Sequence, residues 1–310
     1  GIYSEDDSNS LHLSKVDEAF KIEGNGAQAY LNIKEIIAVA KKSKVDAIHP
    51  GYGFLSENSS FASAAKRAKI KFVGPSERTL KIFGDKTSAK ELALSLGIPV
   101  IAGTKQKTTL KQAQDFLKSL KKNSSVVIKA ISGGGGRGMR VVSKPDDLKE
   151  SFDRASSEAK ASFDSPDLYL EEYLRDYRHI EFQILGDGTG AVSHLHEREC
   201  SIQRRYQKLI EIAPSPSLNV DLKSRMIEAS LALTQKLKYE GLATIEFLVN
   251  IEKNDFRFIE CNPRLQVEHT VTESVLSLDL VRAQLQIASG KSLKQIKLEQ
   301  ENVPEPQGYA

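Results

Sequence analysis

Glu260-Cys261-Asn262-Pro263-Arg264-Leu265-Gln266-Val267-Glu268-His269 carries a polar residue at every even position up to Glu268. Successive side chains of an extended segment point to opposite faces. Glu260, Asn262, Arg264, Gln266 and Glu268 are therefore expected to line one face while Cys261, Leu265 and Val267 pack inward. Ordinary solvent-facing strands alternate in the same way. The upstream run from Ala243 to Val249 separates the two cases, because Glu246 lies there between apolar Ile245 and Phe247 and a turn at Asn250 to Asp255 joins it to Glu260. With the hairpin centred near Lys253, Glu246 and Glu260 face each other at about 5 Å. Opposed carboxylates repel unless a hard divalent cation lies between them, and Mg²⁺ is held through one or two carboxylates together with substrate phosphates. Glu246 and Glu260, with Asn262 beside them, are the expected metal ligands.

A phosphate site is expected on separate grounds. Ser132-Gly133-Gly134-Gly135-Gly136-Arg137-Gly138 follows a strand bearing Lys129, and Gly133, Gly135 and Gly138 fit G-x-G-x-x-G. A dinucleotide site needs a helix directly after such a loop, whereas Met139-Arg140-Val141-Val142 is strand-like. A Walker A loop needs Gly-Lys-Ser/Thr at a helix start, and here the lysine precedes the glycines. A glycine flap between two strands instead brings bare backbone N–H groups over nucleotide phosphates, with Lys129 as a point charge beside them. The plainer alternative, a flexible hairpin tip, is weakened by the entropy cost of four consecutive glycines. Flap and carboxylate pair predict the same ligand, Mg-ATP. A zinc site at His194, His196 and Cys200 is the weaker metal reading, since no fourth ligand is evident.

Outward from these segments the chain reads as α/β (α+β). Residues 1–84 alternate short strands with helices in an open α/β layer, including a helix over Ala27 to Lys41 with Ile33, Ile36, Ile37 and Ala40 on one face. Ser76 is the expected N-cap of the helix carrying Leu80 and Ile82, and a helix from Lys86 to Leu96 stops at Gly97-Ile98-Pro99. Residues 102–174 form a smaller unit: helix, strand (Ser125 to Ala130), glycine loop, strand (Met139 to Val142), helix and strand (Leu168 to Leu174). Next, Arg178 to Gly186 alternates His179, Glu181 and Gln183 with Ile180, Phe182 and Ile184, the pattern of a strand with one wet face. A β-rich unit follows, interrupted by a helix over Asp221 to Leu237.

Composition sets outer limits. The 310 residues carry 44 Lys and Arg against 41 Asp and Glu, a net charge of +3, with 40% hydrophobic residues. A soluble globular protein is expected. Basic residues are scattered rather than concentrated, which argues against nucleic acid as a partner. No apolar run reaches the roughly 18 residues of a membrane span, and Gly1 to Asp7 lack the pattern of a signal peptide. Two cysteines, Cys200 and Cys261, fit a reducing compartment. A cytoplasmic location, or the mitochondrial matrix, is expected.

Several motifs together resemble the biotin carboxylase component of biotin-dependent carboxylases, an ATP-grasp fold. They are His49-Pro50-Gly51-Tyr52-Gly53-Phe54-Leu55-Ser56-Glu57-Asn58, Gly84-Asp85-Lys86, Lys129 through Met139, Glu197-Arg198-Glu199-Cys200-Ser201-Ile202-Gln203-Arg204-Arg205, and Asn262 through Glu273. Glu211-Ile212-Ala213-Pro214 and His269-Thr270-Val271-Thr272-Glu273 lean towards the pyruvate carboxylase type.

The resemblance implies an ATP-grasp fold over residues 85–310, with a mobile lid at about 102–174, preceded by a partial pre-ATP-grasp domain at 1–84. It assigns ATP binding to Lys86, Lys129, Gly135, Gly136, His179, Gln203, Tyr206, Leu248 and the adenine-side hinge Glu171-Glu172-Tyr173-Leu174. Glu246, Glu260 and Asn262 match the ligands of Mg²⁺ or Mn²⁺. Lys208, Arg264, Gln266 and Val267 match the bicarbonate pocket, and Glu268 the general base. The implied reaction converts ATP and bicarbonate to carboxyphosphate, then carboxylates biotin N1′ on a carrier domain. A carboxyltransferase domain and a homo-oligomeric assembly are the further implied partners. Another ATP-grasp carboxylate or carbamate ligase, or a nucleotide-binding module without turnover, are the alternatives. Against the family pattern, Tyr206 stands where histidine is usual. The chain is also expected to begin inside the family's first βα unit and to end before its C-terminal domain, and so to carboxylate biotin poorly alone.

Overall fold

The computed structural model describes residues 1–105, 107–122, 124–131 and 139–310. Its first strands form two parallel pairs, β1 (Ile2–Tyr3) with β2 (Phe20–Lys21) and β3 (Ala47–Ile48) with β4 (Lys71–Phe72). The single helix expected from Ala27 is instead a short turn, Gly26–Ala29, followed by Ile33–Lys42. Asn32 separates them, because its side chain accepts the Glu35 N–H and starts the second helix afresh. Ile36 and Ala40 are buried with Leu55, Phe61, Phe72 and Leu80, and Ile33 and Ile37 pack against them, as the helical spacing implies. Ser76 caps Glu77–Gly84 through the Thr79 N–H at 3.2 Å, and Gly97, at φ +72°, follows the helix Lys86–Ser95.

The next sheet has the antiparallel order β6 (Met139–Val142), β5 (Ser125–Ala130), β7 (Leu168–Tyr173). The helices Leu110–Ser119 and Leu148–Phe163 contribute Ala113, Leu148, Ala155 and Ala159 to its core, with Val126, Ile128, Val142 and Leu170. Lys129 pairs with Met139, so the glycine segment joins two paired strands. Gly135 and Gly136 themselves lie outside the described residues.

The largest sheet is antiparallel in the order β10 (Gln207–Ile212), β9 (Val192–Arg204), β8 (Arg178–Asp187), β11 (Glu240–Asn250), β12 (Asp255–Asn262). Ile180, Phe182, Ile184, Ile245 and Phe247 project from one face into a core with Phe83, Ala89, Ala93, Leu222, Met226 and Leu233. The opposite face is apolar at one end, where Leu185 and Leu242 meet Val275, Leu276, Leu280 and Ile287, and polar at the other. The middle of that polar end is dry. Glu181 and Gln183, expected on a wet face, are both 0% exposed because the equally buried Arg198 of β9 lies over them.

The hairpin β11–β12 pairs Glu246 with Glu260, as expected, although by an irregular route. From Asn250 opposite Asp255 to Phe247 opposite Phe258 the ladder is regular, and continuing it would set Ile259 against Glu246. A bulge at Ile259 sets Glu260 there instead and turns the residues beyond it to the other face. The strand then ends at Asn262 rather than running to Glu268. Pro263 accounts for this, since it has no N–H to continue a ladder. In consequence Val267, expected to pack inward, is 62% exposed, whereas Gln266 and Glu268 are buried.

Candidate active site

Cross-strand register assembles one charged row over four strands: Arg198 on β9 opposite Glu181 on β8, Glu181 opposite Glu246 on β11, and Glu246 opposite Glu260 on β12. Three adjacent carboxylates need compensation. Arg198 Nε donates to Glu181 Oε1 at 2.5 Å, and its other N–H groups reach Gln183, Thr244 and Thr272. Lys208 Nζ meets Glu181 Oε2 at 2.5 Å, Glu246 Oε1 at 3.1 Å and Glu268 Oε1 at 2.6 Å. Burial would lower the Lys208 ammonium, but Glu181 and Glu246 outweigh it and hold the group above its ordinary range. His179 Nε2 lies 2.8 Å from Glu246 Oε2, and its Nδ1 lies 2.8 Å from the Gln203 amide. Against the cost of burial, His179 and Lys208 keep the Glu246 carboxyl well below the usual range.

Glu260 differs. It is half-buried and has no hydrogen bond or ion pair with any described residue. Burial first, and then the Glu246 charge, raise its carboxyl, while Lys86 and Lys129 act in the opposite sense. An uncompensated carboxylate opposite a charged one fits a hard divalent cation between them. Asn262 is arranged differently from a ready ligand: its amide Nδ2 donates to Glu246 Oε1 at 2.8 Å and its Oδ1 accepts from Arg264 at 3.3 Å. Two other groups bring ligand atoms within 4.8 Å of one another, namely His179, Glu181 and Glu246, and Glu181, Cys200 and Glu268. Arg198 and Lys208 already engage their carboxylates, and burial pushes the Cys200 thiol far up, so neither offers free anionic ligands. His194 and His196 belong to no such group among the described residues; their rings stack edge to face at 5.3 Å, and His196 Nε2 meets the Pro304 carbonyl.

Arg264 reaches Glu57, with Nε 2.5 Å from Oε1. Glu57 belongs to the His49 to Asn58 motif, which ties the first part of the chain to the site. Gln266 Nε2 donates to Glu246 Oε1 at 3.3 Å.

On the β5–β7 side, Lys129 Nζ lies 2.5 Å from Glu171 Oε2, and Lys90 pairs with the other oxygen of that carboxylate. Burial opposes ionisation of Glu171, yet Lys129 and Lys90 bring its carboxyl down to about 2. Lys86 Nζ stands 5.8 Å from the centre of the Tyr169 ring. Glu172, Tyr173 and Leu174 are half-buried, and Leu248 pairs with His179. Tyr206 ends the β9–β10 hairpin with φ +65°, beside Arg205 at +52°. Burial first, and then the contact of its hydroxyl with Tyr173, raise the phenol. Lys90, Glu181 and Arg198 were assigned no role from sequence; Arg198 lies inside a quoted motif, but nothing in the local pattern distinguishes a buried arginine.

Residues 85–296 match the family described as carbamoyl-phosphate synthase L chain, ATP binding domain, and residues 1–80 match biotin carboxylase, N-terminal domain. A biotin carboxylase from Campylobacter jejuni, solved as a βγ-ATP complex, superposes with a TM-score of 0.92 at 40% identity, over 99% of this chain and 68% of that one. The chain belongs to the biotin carboxylase family. A second biotin carboxylase structure is the domain of Hydrogenobacter thermophilus 2-oxoglutarate carboxylase, solved with MgADP, ADP and bicarbonate. It gives a TM-score of 0.92 at 39% identity, over 99% of this chain and 67% of that one. Mitochondrial pyruvate carboxylase of Homo sapiens is 47% identical over 97% of this chain, and pyruvate carboxylase of Bacillus subtilis 46% identical over 100%. The chain spans about a quarter of those two relatives, 26% and 27% of their length.

Proposed function

We propose that this biotin carboxylase family chain performs the ATP-dependent carboxylation of carrier-bound biotin within a larger carboxylase. The observation that carries the reading is the placement of Lys208. One ammonium joins Glu268, the candidate base, to Glu246, the carboxylate opposite the uncompensated Glu260. Proton-transfer and metal-phosphate chemistry thus share one charge centre.

Glu246 and Glu260 would hold Mg²⁺ or Mn²⁺, with Asn262 turning its amide oxygen inward; the ion would neutralise phosphate charge as the terminal phosphoryl group departs. Lys86 and Lys129 add positive charge on the same side as Glu260. Glu171 to Leu174, Leu248, His179, Gln203 and Tyr206 border the nucleotide, as would Gly135 and Gly136. Arg264, Lys208, Gln266 and the backbone at exposed Val267 orient bicarbonate. Glu268 takes its proton, a bicarbonate oxygen attacks the terminal phosphorus, ADP leaves, and carboxyphosphate forms. Transfer of the carboxyl group to biotin N1′ breaks the C–O bond to phosphate, and the departing phosphate takes the N1′ proton. Partners of the proposal are a biotin carboxyl carrier domain and a carboxyltransferase domain, in a homo-oligomeric protein of the cytoplasm or mitochondrial matrix. No helix among the described residues is long and apolar enough to cross a membrane.

The test is transfer of label from bicarbonate to biotin by the full-length protein with Mg-ATP. Label should appear in the wild type and fall about a hundredfold or more in Glu268→Gln, the scale of a lost general base. Equal labelling in both would overturn the assignment. Tyr206 in place of histidine favours the second reading, nucleotide binding without turnover, and ATP binding with no labelled biotin would establish it.

A further inference from the structure

We propose that Lys90 is a positioning residue which, by sharing the buried Glu171 carboxylate, leaves Lys129 available to nucleotide phosphates; the inference rests on the Mg-ATP reading above. Three elements meet at this carboxylate. Lys90 comes from the helix Lys86–Ser95, Lys129 from β5 and Glu171 from β7. The division is one oxygen to each ammonium, Oε1 to Lys90 and Oε2 to Lys129, in a setting where Glu171 is 4% exposed and both lysine side chains are about four-fifths buried.

Two ammonium groups on one carboxylate leave a net positive charge, and Lys129 of the pair acts on Glu260, beside which a metal-bound phosphate would lie. With Lys129 as the sole partner the pair would be neutral. Lys129 could then move towards a phosphate only by abandoning a buried carboxylate, whose isolation in a low-dielectric interior is strongly unfavourable. Lys90 removes that conflict, because Glu171 keeps a partner whichever way Lys129 turns. With both lysines in place the Glu171 carboxyl is held down at about 2 against its burial, so it stays ionised while the triad is intact. Lys90 lies one helical turn beyond Lys86, on the same side of its helix.

The test is binding of a non-hydrolysable ATP analogue with Mg²⁺, and separately of adenosine, to the full-length protein. Lys90→Met should weaken the analogue about tenfold or more while adenosine binds as before, and Lys90→Arg should restore wild-type affinity. Adding Glu171→Gln to Lys90→Met should recover analogue binding, because the carboxylate that traps Lys129 is then gone. A purely structural tie predicts otherwise: both ligands weaken together and the double variant binds no better than Lys90→Met. Either of those results, or Lys90→Met binding the analogue like the wild type, overturns the inference alone. If the wild type fails to bind the analogue, the parent reading falls and takes this inference with it.

Discussion

Glu246 and Glu260 stand opposite each other on paired strands, and the cations they touch set their fates apart. Glu246 has Lys208 and His179; Glu260 has no direct partner among the described residues. Replacing Glu260 with Gln should therefore leave the melting temperature unchanged or slightly raised, because a like-charge repulsion is removed, while Mg-dependent ATP turnover is lost. Near-normal kinetics in that variant would end the carboxylate-pair account. Arg198 presents the reverse case. Arg198→Met leaves Glu181 with Lys208 alone and its buried Oε1 unpaired, and should cost about 3–5 kcal/mol in urea unfolding, most of it regained when Glu181→Gln is added. Losses that simply add in the double variant would contradict this pairing. Glu171 predicts an acid limb. Its carboxyl lies at about 2 in the fold against an ordinary 4.5, so its stabilising contribution is complete above 4.5 and is lost as pH falls towards 2. His179 works in the opposite sense: raised by Glu246 against burial, its contribution is present below 6.5 and is lost as pH rises through the higher folded value. Thermal melts should show the first loss in wild type and not in Glu171→Gln. At this scale the alternation along β8 made the polar face legible but not its burial. A wet face and a dry, paired one share the same period, and the deciding partner, Arg198, lies 17 residues from Glu181.

Among the elements, the bulge at Ile259 is what aims Glu260. Its trace is visible in the sequence once known: buried Phe256 and Phe258 are spaced by two, and the next buried residue, Cys261, by three. Inserting one alanine after Ile259 should return Glu260 to the wrong face or wrong pairing and abolish metal-dependent turnover. One glycine inserted in the turn between Glu252 and Asn254 should be absorbed there at little cost. Equal activity in the two insertions would show that register does not set the site. The expected continuation of the strand to Glu268 failed at Pro263. Alternation alone does not distinguish a strand from an extended, irregular segment whose polar groups are held by side chains such as Lys208. Helix positions were more legible, because apolar spacing and capping residues such as Ser76 act locally.

Over the whole molecule, the pairing of β8 with β11 was beyond local patterns, since it depends on long-range contacts across the intervening β9, β10 and helix Val220–Lys236. We propose that residues 102–174 close over the site as a lid, hinged near Gly97 to Thr104 and Leu174 to Arg178. Glu171 links this unit to the helix of Lys90. Amide exchange within Ser125–Ala130 and Met139–Val142 should slow when the Mg²⁺ complex of a non-hydrolysable ATP analogue is added, and unchanged exchange there would count against closure. The most direct measurement of the central claim, that metal-nucleotide and bicarbonate sites share the Glu246–Lys208–Glu268 cluster, is the bicarbonate dependence of ATP hydrolysis by the full-length protein. Hydrolysis should need both Mg²⁺ and bicarbonate and lose its response to bicarbonate when Lys208 is changed to Met; hydrolysis at the same rate with bicarbonate removed would show that the two sites are not shared.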